Sequence, residues 1–261
     1  MRLLESGDPD PVFVHGAGSD APFLITCDHA GRDVPRRLGD LGLPPEAFER
    51  HIALDIGALD LSLRLGEAFG ATVIAQRYSR LVIDCNRHPQ RADDGRPGAI
   101  AEVSDGHAIP ANVALSAAER TARTAEIHAP YHAAIAAEID RRLAAGRPTI
   151  LLFVHSFTPR MNGRDRPWHF GVLHEGSSAF SAAVLRRLQA EADWVTGDNE
   201  PYAMDGTDYS APLHALARGL DYLELEVRQD LLIDPRSHDQ VAALLGRVLV
   251  EALADQAIAG R

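Results

Sequence analysis

The chain has 261 residues, with 26 Lys and Arg against 37 Asp and Glu, a formal charge of -11. That balance disfavours nucleic acid or an anionic membrane as a partner, because phosphate binding needs clustered cations. Two cysteines cannot make a disulfide framework, and no stretch is apolar for long enough to span a bilayer. Met1 to Pro9 lacks the apolar core of a signal peptide, so the expectation is a cytoplasmic chain, monomeric or a small homo-oligomer, with Cys27 and Cys85 as reduced core thiols.

In chain order, the first predicted element is a strand near 23–27 that runs into Asp28-His29-Ala30-Gly31, an apolar run ending in a small-residue turn. A helix fits 56–69, where Ile56, Leu59, Leu63 and Leu65 recur at helical spacing. Strands follow near 72–75 and 80–85, the second inside Tyr78-Ser79-Arg80-Leu81-Val82-Ile83-Asp84-Cys85-Asn86-Arg87. The tract from His88 to Pro110, rich in Pro, Gly, Asp and Arg, reads as a long loop.

Ser116 with Glu119 opens a helix over 116–145 as a capping box, and Gly146 with Pro148 closes it. Pro130 predicts a kink or a fresh start inside it. Strands near 149–154, 169–173 and 221–228 and helices over 178–192, 210–219 and 238–257 complete the pattern. The alternation predicts an α/β fold with a central, mostly parallel mixed sheet flanked by helices. No linker divides the chain, so one domain spanning 1–261 is expected.

Ligands of open α/β sheets sit beyond the carboxyl ends of the strands. His29 and His155 occupy such ends, where each serves either a turn backbone or a metal. Two histidines and one carboxylate suit an open catalytic zinc site. For the carboxylate, Asp55 and Asp33 both stand in range of the pattern, and Asp55 also reads as a helix N-cap.

In Leu223-Glu224-Leu225-Glu226-Val227-Arg228, alternation puts Glu224, Glu226 and Arg228 on one face, which is either solvated or catalytic. Glu226 is the candidate general base, and Arg228 with Tyr209 are candidate substrate contacts. Arg80, Asn86 and Arg87 offer fixed donors for a carboxylate and a polarised carbonyl. His128 and His132, at i and i+4, lack the Glu of an HExxH site and read as structural or substrate-side groups. Gly197-Asp198-Asn199-Glu200-Pro201-Tyr202 is a polar loop that lines a pocket or merely turns. Nucleotide-loop and Gly-x-Ser-x-Gly patterns are missing.

Taken in order, Cys-Asp-His-Ala-Gly at His29, Asp-Ile-Gly-Ala at Asp55, Tyr-Ser-Arg-Leu-Val-Ile-Asp-Cys-Asn-Arg, His-Ala-Pro-Tyr-His at His128, His-Ser-Phe-Thr-Pro at His155, Gly-Asp-Asn-Glu-Pro-Tyr and Glu-Val-Arg-Gln-Asp-Leu at Glu226 resemble the N-formylglutamate amidohydrolase family. These are zinc-dependent hydrolases related in fold to zinc carboxypeptidases and aspartoacylase-type deacylases. The resemblance implies one zinc ion held by His29, His155 and an aspartate, with Asp55 as the carboxylate. It implies Arg80 as the carbonyl-polarising group, Asn86 and Arg87 as the carboxylate clamp and Glu226 as the base. The substrate would be a small N-acyl amino acid, foremost N-formyl-L-glutamate.

The chain departs from the HxxE pattern of many zinc hydrolases, because Arg32 stands where the glutamate would be. Another acyl-amino-acid deacylase, a small carboxypeptidase or a carboxylate-binding protein without catalysis would share much of this pattern.

Overall fold

A computed structural model describes residues 2–90, 98–176 and 178–259. Among them, seven strands form one sheet: β1 (Val12–His15), β2 (Phe23–Cys27), β3 (Thr72–Gln76), β4 (Ile150–Phe157), β5 (Phe170–Leu173), β6 (Thr196–Asp198) and β7 (Tyr222–Arg228). Their spatial order is β1-β3-β2-β4-β7-β5-β6. The inner four, β3, β2, β4 and β7, are mutually parallel. β1 joins β3 and β5 joins β7 in antiparallel pairs, and β6 runs parallel to β5. Inner strands covered on both faces must be apolar nearly throughout, which is why the sequence showed β2, β3 and β4 as continuous runs, whereas β7 alternates. β1 and β6 lie at the edges, are short and partly exposed, and carry no such signal.

The helices are α1 (Ala58–Phe69), α2 (Ala117–Arg123), α3 (Ala129–Ala144), α4 (Ala179–Gln189), α5 (Ser210–His214) and α6 (Pro235–Ala259). One sheet face, with Ile25, Cys27, Val73, Leu152, Val154, Leu223, Leu225 and Val227, packs under α1, α4 and α6. The other, with Leu24, Ile74, Leu151, Phe153 and Tyr222, packs under α3 and α5. Each leucine-sized side chain removed from water in this way contributes about 1.5–3 kcal/mol. A third cluster lies apart from the sheet, with Leu41, Ile52, Tyr78, Leu81, Val82, Ile83, Ile109 and Ile127 among its members.

Of residues 80–85, Leu81, Val82 and Ile83 belong to that third cluster, and the segment runs through turns, not the expected strand. Their apolar side chains are buried as a strand's would be, but the backbone is satisfied by other means. Asn112 Nδ2 donates to the Leu81 carbonyl at 2.8 Å, Arg123 Nη1 donates to that of Val82 at 2.8 Å, and the Leu81 amide donates to Ser79 Oγ at 3.2 Å. Buried backbone groups need partners, and here side chains from distant segments replace a neighbouring strand.

The predicted 116–145 helix keeps its capping box but is interrupted by a π turn over Thr124–His128. The wider turn accommodates Pro130, which lacks an amide donor and crowds the carbonyl four residues back. The predicted 210–219 helix is confined to α5 and a 3-10 turn, Leu216–Arg218. α6 starts at Pro235, earlier than 238. Of the expected 88–110 loop, 91–97 lie outside the described residues. The remainder includes a small hairpin pairing Val103–Ser104 with His107–Ala108. No helix among the described residues is long and apolar enough to cross a membrane.

Candidate active site

The carboxyl ends of β2, β4 and β7 meet in register. Glu226 pairs with His155 on one side and with Gly171 of β5 on the other. Asp28 and His29 follow directly after β2. Because side chains alternate along a strand, His155 and Glu226 share the face opposite Val154, Leu225 and Val227. Gly171 must lack a side chain, since a Cβ there would stand 2.1 Å from the Glu200 carbonyl oxygen and 3.2 Å from Glu226 Cβ. Above these strand ends opens a cavity of about 530 Å³, whose walls include His29, His51, Asp55, Arg80, Asp84, Arg87, Tyr202, Asp208 and Glu226.

Asp55 is the point of convergence. Its Oδ2 lies 3.2 Å from His29 Nδ1 and 2.9 Å from His155 Nδ1, and its Oδ1 accepts from Arg80 Nη1 at 3.3 Å. It is not an N-cap: Gly57 holds that position before α1, with no side-chain cap. Asp33, the other carboxylate in question, is exposed and is tied through its backbone to Arg77 and Ser79. One ligand atom each from His29, Asp55 and His155 lies within 4.8 Å of the other two. Two imidazole nitrogens and one carboxylate oxygen around a tetrahedral zinc would stand about 3.3 Å apart at ordinary bond lengths, close to the two separations between Asp55 and the histidines. The donor set therefore fits a divalent cation with an open position.

Each histidine also has a carboxylate behind it, hydrogen-bonded at His29 and at ion-pair distance at His155. His29 Nε2 faces Asp84 Oδ1 at 2.7 Å, and His155 Nε2 faces Asp28 Oδ2 at 3.4 Å. A carboxylate on the second ring nitrogen fixes the imidazole's orientation and raises its basicity as a ligand. Asp84 in turn accepts from Arg80 Nη2 at 2.6 Å and from the Asn86 amide at 2.9 Å, and Asp28 accepts from Ser210 Oγ at 2.8 Å.

The charges follow. Burial opposes ionisation of Asp55, but the His29 charge and hydrogen bonds from both rings outweigh it, so its pKa is lowered. Burial works likewise against Asp84 and is overcome first by Arg80 and then by His29. His155 is pushed well above the usual range despite burial, by its contacts with Asp28 and Asp55.

Glu226 behaves in the opposite way: burial, tempered by His155 and reinforced by Asp55, raises its carboxyl to about 7. Its Oε2 is buried and makes no hydrogen bond, as expected of a group whose partner is a reactant. The face of Glu224 and Glu226 is thus not a solvated one. Glu224 is buried beside Asn86 Nδ2 at 3.4 Å and is held well above the carboxylate range by burial and then by Asp208.

Arg80, Asn86 and Arg87 all reach the cavity. Two other expected contacts stand elsewhere. Arg228 is not among the cavity's lining residues; its Nε donates to Asp230 at 2.8 Å, and its Nη1 lies 3.4 Å from the Trp168 carbonyl, because the strand ends there and the side chain leans past β5. Tyr209 packs behind Asn86, its ring 5.4, 5.2 and 5.0 Å from those of His88, His128 and His132. His128 and His132 bear on the clamp segment, with Nε2 atoms 3.1 Å from the Arg87 carbonyl and 2.9 Å from the Cys85 carbonyl. His132 Nδ1 is 2.9 Å from His214 Nε2. Burial lowers His132 to about 4 and, with His132 adjacent, His214 to about 3, so both are neutral near pH 7.

Of the loop read as lining a pocket or merely turning, Tyr202 lines the cavity; sequence reasoning gave no role to Asp28, Asp84, His51 or Asp208. Asp28 and Asp84 carried a usable signal, since a carboxylate within a buried apolar run requires a partner. Asp208 carried none.

The N-formylglutamate amidohydrolase family profile matches residues 21–233. The N-formylglutamate deformylase of Pseudomonas aeruginosa is 29% identical over 188 residues, 65% of this chain and 65% of that protein, so the match spans just under two thirds of the relative. A solved gene product of Agrobacterium tumefaciens superposes with a TM-score of 0.92 at 35% identity, covering 97% of this chain and 99% of that one. The N-formylglutamate amidohydrolase of Ralstonia eutropha JMP134 shares the fold, with a TM-score of 0.70 at 19% identity over 97% and 100% of the two chains. With the profile running from the start of β2 past the end of β7, and so across every strand end that builds the cavity, the chain belongs to the N-formylglutamate amidohydrolase family.

Proposed function

We propose that the protein hydrolyses N-formyl-L-glutamate to formate and L-glutamate, using one divalent cation, zinc by the chemistry of its donors. The observation that carries this reading is the buried His29-Asp55-His155 set with Glu226 in register beside His155, in a chain of this family. His29, Asp55 and His155 would hold the cation. When bound, such an ion supplies Lewis-acid charge that acidifies water and polarises a carbonyl.

The protein's own groups do the rest. Glu226, a wall residue of the cavity whose Oε2 makes no hydrogen bond, accepts the proton of the attacking water as the C–O bond forms. It then returns that proton to the departing amine as the C–N bond breaks. Arg80, kept cationic by Asp84 and then Asp55 in spite of burial, offsets negative charge growing on the formyl oxygen. Arg87, with Asn86 beside it, orients the substrate carboxylate.

The test is product analysis with the zinc-loaded protein and equal concentrations of N-formyl-L-glutamate, N-acetyl-L-glutamate and a C-terminal glutamyl dipeptide. Formate and glutamate should appear in equal amounts, with kcat/KM highest for the formyl compound. Preference for the acetyl compound or the dipeptide would reassign the substrate.

A further inference from the structure

The clamp expected to hold a substrate carboxylate already holds one. Asp208 Oδ1 accepts from Asn86 Nδ2 and from Arg87 Nη1, both at 3.2 Å. These are adjacent donors on one side of the cavity, in the arrangement by which an amide and a guanidinium bind any carboxylate. Asp208 is itself a wall residue of the cavity, so the contact is made inside the site.

Among the described residues, the segment carrying Asp208 and the Arg87 side chain both have other anchors. The loop carrying Asp208 is fixed by Asn86 Oδ1, which accepts the amides of Tyr209 and Ser210 at 2.9 Å each, and by Ser210 Oγ on Asp28. Arg87 Nη1 is placed separately by the Asn86 carbonyl at 2.8 Å. What Asp208 adds at these donors is a negative charge beside Arg87. A structural strut would not need it, whereas a competing anion would. Burial also disfavours the charged form of Asp208, against the pull of Arg87, which makes it a poorer occupant than a fully ionised ligand.

We infer that Asp208 is an internal occupant of the Asn86–Arg87 clamp that a substrate carboxylate displaces, so that this side chain sets how tightly and how selectively carboxylate substrates bind. The inference rests on the proposed acyl-amino-acid reading of the site. Displacement moves a carboxylate by a side-chain rotation and involves no covalent change. With Asp208 in place, Arg87 is neutralised between turnovers, and weak anions such as released formate are kept off it.

Asp208→Asn keeps the shape and an acceptor oxygen while removing the charge. Its KM for N-formyl-L-glutamate should fall about three- to tenfold with kcat changed less than about twofold, the scale of one charge removed from a partly buried site. N-formylglycinamide, which has no carboxylate, should be hydrolysed with unchanged KM. A KM for N-formyl-L-glutamate that rises or stays constant, or that moves equally for both compounds, would overturn the inference; should Asp208→Asn fail to fold, Asp208→Ser is read by the same criteria. If the wild-type protein hydrolyses neither compound, the functional reading fails, and calorimetric binding of L-glutamate then decides this one: tighter binding by the variant supports it, and equal or weaker binding overturns it.

Discussion

The face of β7 that carries Leu223, Leu225 and Val227 and the face that carries Glu224 and Glu226 alternate residue by residue, yet different forces hold them. The first is buried against α1, α4 and α6 by contacts that are individually small and interchangeable. The second faces a network in which Asp55 touches both candidate ligand histidines and Arg80, and in which Asp84 and Asp28 each back one histidine. Loss of one member from the apolar face lowers stability and leaves the chemistry intact. A member lost from the polar face leaves charged partners unmet and changes the chemistry while most of the fold's apolar contacts persist.

The sharpest way to break this contrast is Glu226→Gln, which keeps size and removes the proposed base. It should lower kcat/KM by about a thousandfold, within the range of general-base catalysis, while circular dichroism and zinc affinity stay close to wild type. A loss below about tenfold would move the base elsewhere.

Next in size are Asp84→Asn and Asp28→Asn. Each should weaken zinc about 10- to 100-fold in competition with a chelator, as for other carboxylates behind ligand histidines. Unchanged affinity in both would reduce these contacts to packing.

A smaller effect concerns pH. The protein's own groups set Glu226 at about 7, and a divalent charge beside Asp55 lowers it from there. Glu226 acts as a base only when ionised, so kcat/KM should be flat above its pKa and fall about tenfold per unit below it. An acid limb centred clearly above 7 would contradict the assignment.

On the other face, Leu225→Ala should cost about 3 kcal/mol of stability by the usual large-to-small scale, read from denaturant unfolding. Its kcat/KM should change less than about twofold. A large catalytic loss from Leu225→Ala would remove the distinction between the faces.

The same distinction explains what the sequence could disclose. Strands β2, β3 and β4 were legible because burial on both sides enforces apolar runs. Alternation in β7 already set Glu224 and Glu226 apart from the core. His29 and His155 stood out because they end such runs.

The segment around Leu81 to Ile83 misled because burial, not strand pairing, is what an apolar run reports. Its hydrogen bonds come from Asn112 and Arg123, which no local pattern connects to it. Asp208 meets Arg87 across 121 residues, and Arg228, though in phase with Glu226, lies where the strand ends and leans away. Periodicity reports which face a residue shares; it does not report which distant loop closes over that face.

The central claim is that His29, Asp55 and His155 together hold one cation on which hydrolysis depends. Elemental analysis of the dialysed wild-type protein and of Asp55→Ala, paired with N-formyl-L-glutamate hydrolysis on the same samples, tests it directly. Expected are about one zinc per wild-type chain, little in the variant, and activity that tracks the metal. A wild-type sample that hydrolyses the substrate at full rate with no bound metal would contradict it.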